Sequence, residues 1–282
     1  MLKIKRHYKL YRTIQKVIYA NFAAKYEDYL VNDIKIKIFR SPNNQIIFYI
    51  HGGGWTLGSA QTYVNACNRI SKQLNRTVIS IDYRLAPEYP FPAGFNDCYN
   101  TIKAVISNYQ RYHISLKDII IMGDSAGANL ATAVAIKAKK SKEFQISKEI
   151  LLYPLTQTDF SKYSPYKSIT ENANNYFLSR QNVQEYLKLY VKDKKDLNSP
   201  YIAPLKSKNL FKMPKTLIIT AEFDILRDEG YAYAKKLKRY FNKVEYHNLP
   251  KTIHGFFTNY LCFKDAEQAM NYIKLFIGDA NE

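Results

Sequence analysis

The chain has 282 residues, 46% of them apolar, enough to bury a sizeable core in one large domain or two smaller ones. Lys and Arg outnumber Asp and Glu by 42 to 24, a net charge of +18, yet the basic residues are spread through every segment with no nucleic-acid recognition motif beside them. This speaks against a nucleic-acid partner, while an odd cysteine count without a C-x-x-C pair (Cys67, Cys98, Cys262) speaks against a disulfide framework, and the lack of any long apolar run against stable membrane insertion.

The first segment, MLKIKRHYKLYRTIQKVIYANFAAKY, is basic but lacks the continuous apolar stretch of a signal peptide, so the expected address is the cytoplasm. Ile4, Tyr8, Tyr11, Ile14, Ile18 and Phe22 recur at helical spacing with Lys and Arg among them. The spacing predicts an amphipathic helix packed on the body of the protein; a helix lying on an anionic membrane surface is the second reading. YEDYLVNDIKIKIFR predicts two short strands, an antiparallel hairpin at one edge of a sheet. QIIFYI, TVISIDY and DIIIMGD follow, then EILLYP, TLIITAEF and VEYHNLP. The middle runs are nearly continuous in apolar residues, as parallel strands buried on both faces require.

Helical patterns lie between these runs: YVNACNRISKQL, FNDCYNTIKAVISNYQ, GANLATAVAIKAKK and EGYAYAKKLKRYF, with DAEQAMNYIKLFI closing the chain. Alternation of this kind predicts an α/β fold with about eight strands, mostly parallel, and helices on both faces. One stretch breaks the rhythm. About sixty residues between Tyr153-Pro154 and Thr216 carry no strand pattern. They include SRQNVQEYLKLYVKD, a predicted helix with Val183, Leu187, Tyr190 and Val191 on one side. An insertion at the carboxyl end of a sheet strand sits where open α/β sheets bind ligands, so it predicts a lid or cap.

Two short motifs carry the chemistry. HGGGW, from His51, places three glycines directly after a strand, which calls for either a tight turn or a backbone brought close to a ligand. GDSAG, Gly123 to Gly127, lies between the run DIIIM and a helix, where a serine on a sharp turn becomes a nucleophile elbow. Ser125 alone could equally cap that helix. A hydroxyl needs a base, and the base needs an acid to fix its tautomer. Asp224 follows the run TLIIT, and His254 follows VEYHNLP, in the order serine, acid, histidine at one edge of the sheet. Glu222, Asp228 and Glu229 lie near the same strand end, but Asp228 and Glu229 read as stabilising charges at a helix N-terminus. His247 falls within a strand, and His7 and His113 lie away from any motif. The bare backbone after His51 can then turn N–H groups toward an oxygen that becomes negative in acyl transfer, with the N–H of Ala126 as the other half of the hole.

With these residues in place the sequence resembles the hormone-sensitive-lipase-like carboxylesterases of the α/β-hydrolase superfamily. The resemblance rests on the ordered blocks HGGGW, DYRLAPEYPFPAGFND, GDSAGANLA, LLYP, SPYIAPL, AEFDILRDEG and HGF, which reach from about Ile47 to Phe257. It implies a single α/β-hydrolase domain over residues 1–282 with a helical cap built from about 1–25 and 156–205. It implies a serine carboxylesterase that cleaves short- to medium-chain acyl esters through an acyl-enzyme. The catalytic residues would be Ser125, Asp224 and His254, the oxyanion donors the N–H groups of Gly53, Gly54 and Ala126, and no metal or organic cofactor would be needed. His51 would shape the glycine loop, and the rings of Tyr163, Tyr166, Tyr176 and Phe177 would form the core of the cap. Tyr89, Asn96 and Ile225 depart from the family pattern without removing a catalytic group, and the short N-terminal region leaves the shape of the acyl pocket open. An amide hydrolase of the formamidase type, whose loop Trp55 also satisfies, and a non-catalytic ligand receptor on the same scaffold stay as alternatives. Homodimerisation, frequent in the family, is left open.

Overall fold

The computed structural model describes residues 4–18, 24–174, 176–258 and 263–278; Cys262 and the Phe22 end of the predicted first helix lie outside them. Strands β1 (Glu27–Val31) and β2 (Ile34–Phe39) pair antiparallel at one edge. Asn32 and Asp33, both in the left-handed region at φ 49° and 64°, make the two-residue connection, a conformation Asn and Asp tolerate and whose twist matches a hairpin. The rest of the sheet comprises β3 (Gln45–Ile50), β4 (Thr77–Ile81), β5 (Ser115–Asp124), β6 (Lys148–Leu152), β7 (Lys215–Phe223) and β8 (Val244–Ile253). The order is β1-β2-β4-β3-β5-β6-β7-β8, with every pair from β4 to β8 parallel. The expected eight-stranded, mostly parallel sheet is the one observed.

Alternation within each strand divides the core into two layers. Ile46, Phe48 and Ile50 of β3 join Ile79, Ile121, Leu151 and Ile218 on one face, covered by α3 (Ala93–Ser107), α4 (Ala126–Ser141) and α7 (Arg227–Arg239). Ile47 and Tyr49 join Val78, Ile120, Met122 and Ile219 on the other, under α2 (Val64–Leu74) and α8 (Phe263–Gly278). Because β3 to β6 are covered on both faces, apolar residues fill both of their sides. Among the described residues no helix is long and apolar enough to cross a membrane.

The predicted interruption is real: no strand lies between Leu152 and Lys215 among the described residues. It contains α5 (Ser168–Glu171) and α6 (Arg180–Tyr190), the latter started by a capping box in which Ser179 accepts from the N–H of Asn182. Val183, Leu187, Tyr190 and Val191 are buried as expected, and Tyr190 stacks on Trp55 of the glycine loop at 4.4 Å. Helix α1 (Ile4–Ile18) packs against α6 and is strapped to the body by Arg12. The Arg12 guanidinium donates to the carbonyls of Thr56 and Ala86 and pairs with Glu88. Two expectations fail here. Ile14 is 43% exposed rather than packed, and Tyr163 and Phe177, at 81% and 64% exposed, are not cap core.

A buried carboxyl crosses the middle of the sheet. Glu149 of β6 accepts from the hydroxyls of Thr132 on α4 and Thr216 on β7, with no ion pair to it among the described residues, and burial pushes its pKa up to about 7. The folded state therefore keeps this proton between the ordinary value of 4.5 and about 7, where the unfolded chain has lost it. Stability then falls as pH rises through that window and levels off above it, a cost on the order of 3 kcal/mol at the top. Glu149→Gln keeps the shape without the charge. Thermal melts of both proteins from pH 5 to pH 8 should show the variant gaining on the wild type as pH rises, and parallel curves would show that Glu149 stays ionised in the fold.

Candidate active site

β5 ends at Asp124 and α4 begins at Ala126, so one residue, Ser125, makes the turn between them. It sits at φ 54°, ψ −121°, a conformation that is costly for any residue with a Cβ. The turn is held from both sides: the Ser125 N–H donates to Leu152 O of β6, and Ser125 O accepts from the N–H of Asn129. It is possible only because two glycines flank it. A Cβ on Gly123 would lie 2.5 Å from Gly127 O, and one on Gly127 would lie 2.1 Å from Ile50 O.

β7 and β8 run parallel to β5, so their carboxyl ends open on the same edge. Asp224 follows the last residue of β7 and His254 the last residue of β8. His254 Nε2 is 2.9 Å from Ser125 Oγ, and its Nδ1 is 2.7 Å from Asp224 Oδ2. A carboxylate only accepts, so Nδ1 carries the proton and Nε2 is left to accept from the serine hydroxyl. Asp224 is 1% exposed and its other oxygen accepts from the N–H of Leu226, which fixes the carboxylate plane. Tyr153 stands edge-on to the imidazole at 4.8 Å. The three residues expected from the motifs are thus brought into one hydrogen-bonded line.

The glycine loop lies against the elbow. Gly53 and Gly54 adopt φ 110° and 59°, and Gly53 O accepts from the N–H groups of Thr56 and Leu57. No described acceptor takes the N–H of Gly53, Gly54 or Ala126. Ala126 is the first residue of α4, where the helix dipole favours negative charge. His51 is wholly buried, stacked on Tyr83 at 4.3 Å, with Nδ1 donating to Gly52 O at 2.8 Å. Burial lowers its pKa, and the ring lies beneath the loop against Tyr63 and Tyr83.

Sequence reasoning missed the residue that joins loop to elbow. Asp124, beside the serine, accepts from Gly52 N–H at 3.0 Å and from the hydroxyls of Tyr49 and Tyr63 at 2.9 and 3.0 Å. Burial pushes its pKa up to about 6 against the pull of those three donors. Its partners lie 75, 72 and 61 residues away, and no local pattern announces them. Glu229 needs correction too. It is fully buried at the start of α7, accepting from the N–H of Thr156 and the amide of Gln157, and burial pushes its pKa up to about 8, so it does not supply the stabilising helix-terminal charge expected of it. His247 lies in β8 as expected and stacks on Tyr272.

Serine and histidine open into a cavity of about 300 Å³ whose walls include Gln15, Tyr63, Phe177 and Tyr186. Gln15 comes from α1 and its side-chain oxygen accepts from Gly58 N–H. Tyr186 of α6 lies flat against Gly54, where a Cβ would meet its ring at 2.3 Å. The cap is tied to the acid as well, since Asn172 donates to Asp224 O and Ser168 to Ile225 O. A more open depression of about 470 Å³ around Arg84, Asp97 and Lys103 shares no lining residue with this cavity.

A protein-family profile described as an alpha/beta hydrolase fold matches residues 47–258. An arylesterase of Saccharolobus solfataricus is 36% identical over 217 residues, 76% of this chain and 68% of that one. The carboxylesterase NlhH of Mycobacterium tuberculosis is 32% identical over 234 residues, 80% of this chain and 72% of that one. Among solved structures, a hyperthermophilic esterase from Pyrobaculum calidifontis superposes with a TM-score of 0.86 at 31% identity, covering 97% of this chain and 89% of that one.

Proposed function

The chain belongs to the α/β-hydrolase family, in its group of hormone-sensitive-lipase-like carboxylesterases, and is an ester hydrolase; we propose that it cleaves short- to medium-chain acyl esters through an acyl-enzyme on Ser125. His254 Nε2 takes the hydroxyl proton as Ser125 Oγ attacks the ester carbonyl, and the carbonyl oxygen becomes an oxyanion facing the N–H groups of Gly53, Gly54 and Ala126. Collapse of this adduct breaks the bond to the alcohol oxygen, which leaves with the proton from His254. Water, deprotonated by the same Nε2, then attacks the acyl-serine and restores the hydroxyl. Asp224 holds the ring in the tautomer that makes Nε2 the base and offsets its charge when protonated.

What carries this reading is the unbroken line Asp224–His254–Ser125, at 2.7 and 2.9 Å, opening into a cavity beside a bare glycine backbone. A volume of about 300 Å³ is at the small end for ligand pockets, which favours short acyl groups. Cys67 and Cys98, both buried and unpaired, accord with the reducing cytoplasm we propose as the location.

The test is turnover of p-nitrophenyl esters from acetate to laurate. Release should be fastest on the short and middle members and fall steeply toward laurate. An optimum at laurate would reject the short-pocket reading, and turnover of N-formyl amides in place of esters would favour the formamidase alternative.

A further inference from the structure

Helix α1 has two apolar faces, and the described residues bury only one. Ile4, Tyr8, Tyr11, Arg12 and Gln15 are turned to the body, buried or half-buried. On another side Leu10, Ile14 and Val17, spaced i, i+4, i+7, stand 50%, 43% and 70% exposed. Single exposed apolar residues are ordinary on any surface, but three in one stripe over two turns form a face. The helix is also strongly basic: IKRHYKLYRTIQKVI holds five Lys or Arg and no Asp or Glu. Of these, Arg12 is spent on Glu88, while Lys9 is exposed one residue from Leu10.

We propose that this face of α1 docks the protein on an anionic lipid surface. An exposed apolar stripe on a cationic helix, with no acidic residue to repel lipid phosphates, is what an in-plane helix needs. A second copy of the chain fits less well. Each copy carries +18, so like charges would meet, and three side chains cover far less than the roughly 1,200 Å² or more of a stable interface. Docking would also place the catalytic cavity at the surface, since Gln15, next to Ile14, lines it and a helix is only about 10 Å across. The inference goes beyond the catalytic reading and does not depend on it.

Co-sedimentation of the full chain with phosphatidylcholine vesicles, with and without phosphatidylglycerol, tests it directly. The protein should pellet with the anionic vesicles only, and less so at high salt. Leu10→Gln, Ile14→Gln and Val17→Gln together, at exposed positions and with a good helix former, should weaken binding by about tenfold or more. Lys9→Glu alone should weaken it by a smaller factor, and serves if the triple variant loses helix by circular dichroism. No binding of wild type to anionic vesicles, or equal binding by wild type and both variants, would overturn the proposal. So would a wild-type dimer that the triple variant turns into a monomer while vesicle binding stays absent.

Discussion

Ser125→Ala should lower kcat/KM for p-nitrophenyl acetate by on the order of 10⁴–10⁶ while leaving the melting temperature in place. Alanine retains the Cβ, so the turn at φ 54° costs what it did, and the backbone bond to Leu152 O survives. What disappears is the hydroxyl that His254 Nε2 faces at 2.9 Å. Oxyanion donors and binding alone would leave a small residue of activity over water. A fluorophosphonate should add covalently to the wild type and leave the variant unlabelled, which separates loss of the nucleophile from loss of the fold. Labelling at another serine, or turnover within a few-fold of wild type, would refute the assignment.

Gly127→Ala should unfold much of the protein's margin of stability although alanine is the better helix former. The added Cβ would stand 2.1 Å from Ile50 O, 2.5 Å from His51 O and 2.6 Å from His51 C. All three atoms are backbone, at the end of β3 where the glycine loop begins, and none can swing aside as a side chain would. Either α4 lifts off the sheet or the loop moves. We expect a loss of about 3 kcal/mol or more, net of the ~1 kcal/mol that alanine gains in helix propensity. In a domain of this size that lowers the melting temperature by roughly 6–12 °C. Turnover should fall further than the folded fraction does, because Gly53 and Gly54 ride on the displaced segment. Gly278→Ala, at the last residue of α8 with nothing within 4 Å of the new methyl, is the control for helix propensity alone and should raise stability by at most ~1 kcal/mol.

The strands and the three side chains of the Asp224–His254–Ser125 line were legible because each leaves a local mark. β3 and β4 are nearly continuous apolar runs, β6 ends in Ile150-Leu151-Leu152, and Asp224 and His254 follow the ends of strands that lie parallel to β5. Periodicity predicts a face but not its partner, and the misses follow from that. Ile14 belongs to the helical spacing of α1 yet looks outward, because the body meets the helix along Tyr11, Arg12 and Gln15. Glu229 stands at the start of a helix, where a charge would be welcome, but the chain from Thr156 folds over it. Phe177 reads as core by its chemistry and instead borders the cavity. The clamp at Asp124 joins residues from three elements through a single side chain, a relation that exists only once the sheet has formed.

The edge position of β8 has a consequence for when the protein becomes active. His254 is 129 residues beyond Ser125 and hangs from the strand that completes the sheet. During synthesis the elbow and glycine loop can be made long before their base, a delay on the order of ten seconds at ribosomal speed. On the proposed mechanism, the serine hydroxyl has no base to take its proton until β8 docks on β7. On that mechanism, docking of the edge strand is the step that arms the serine.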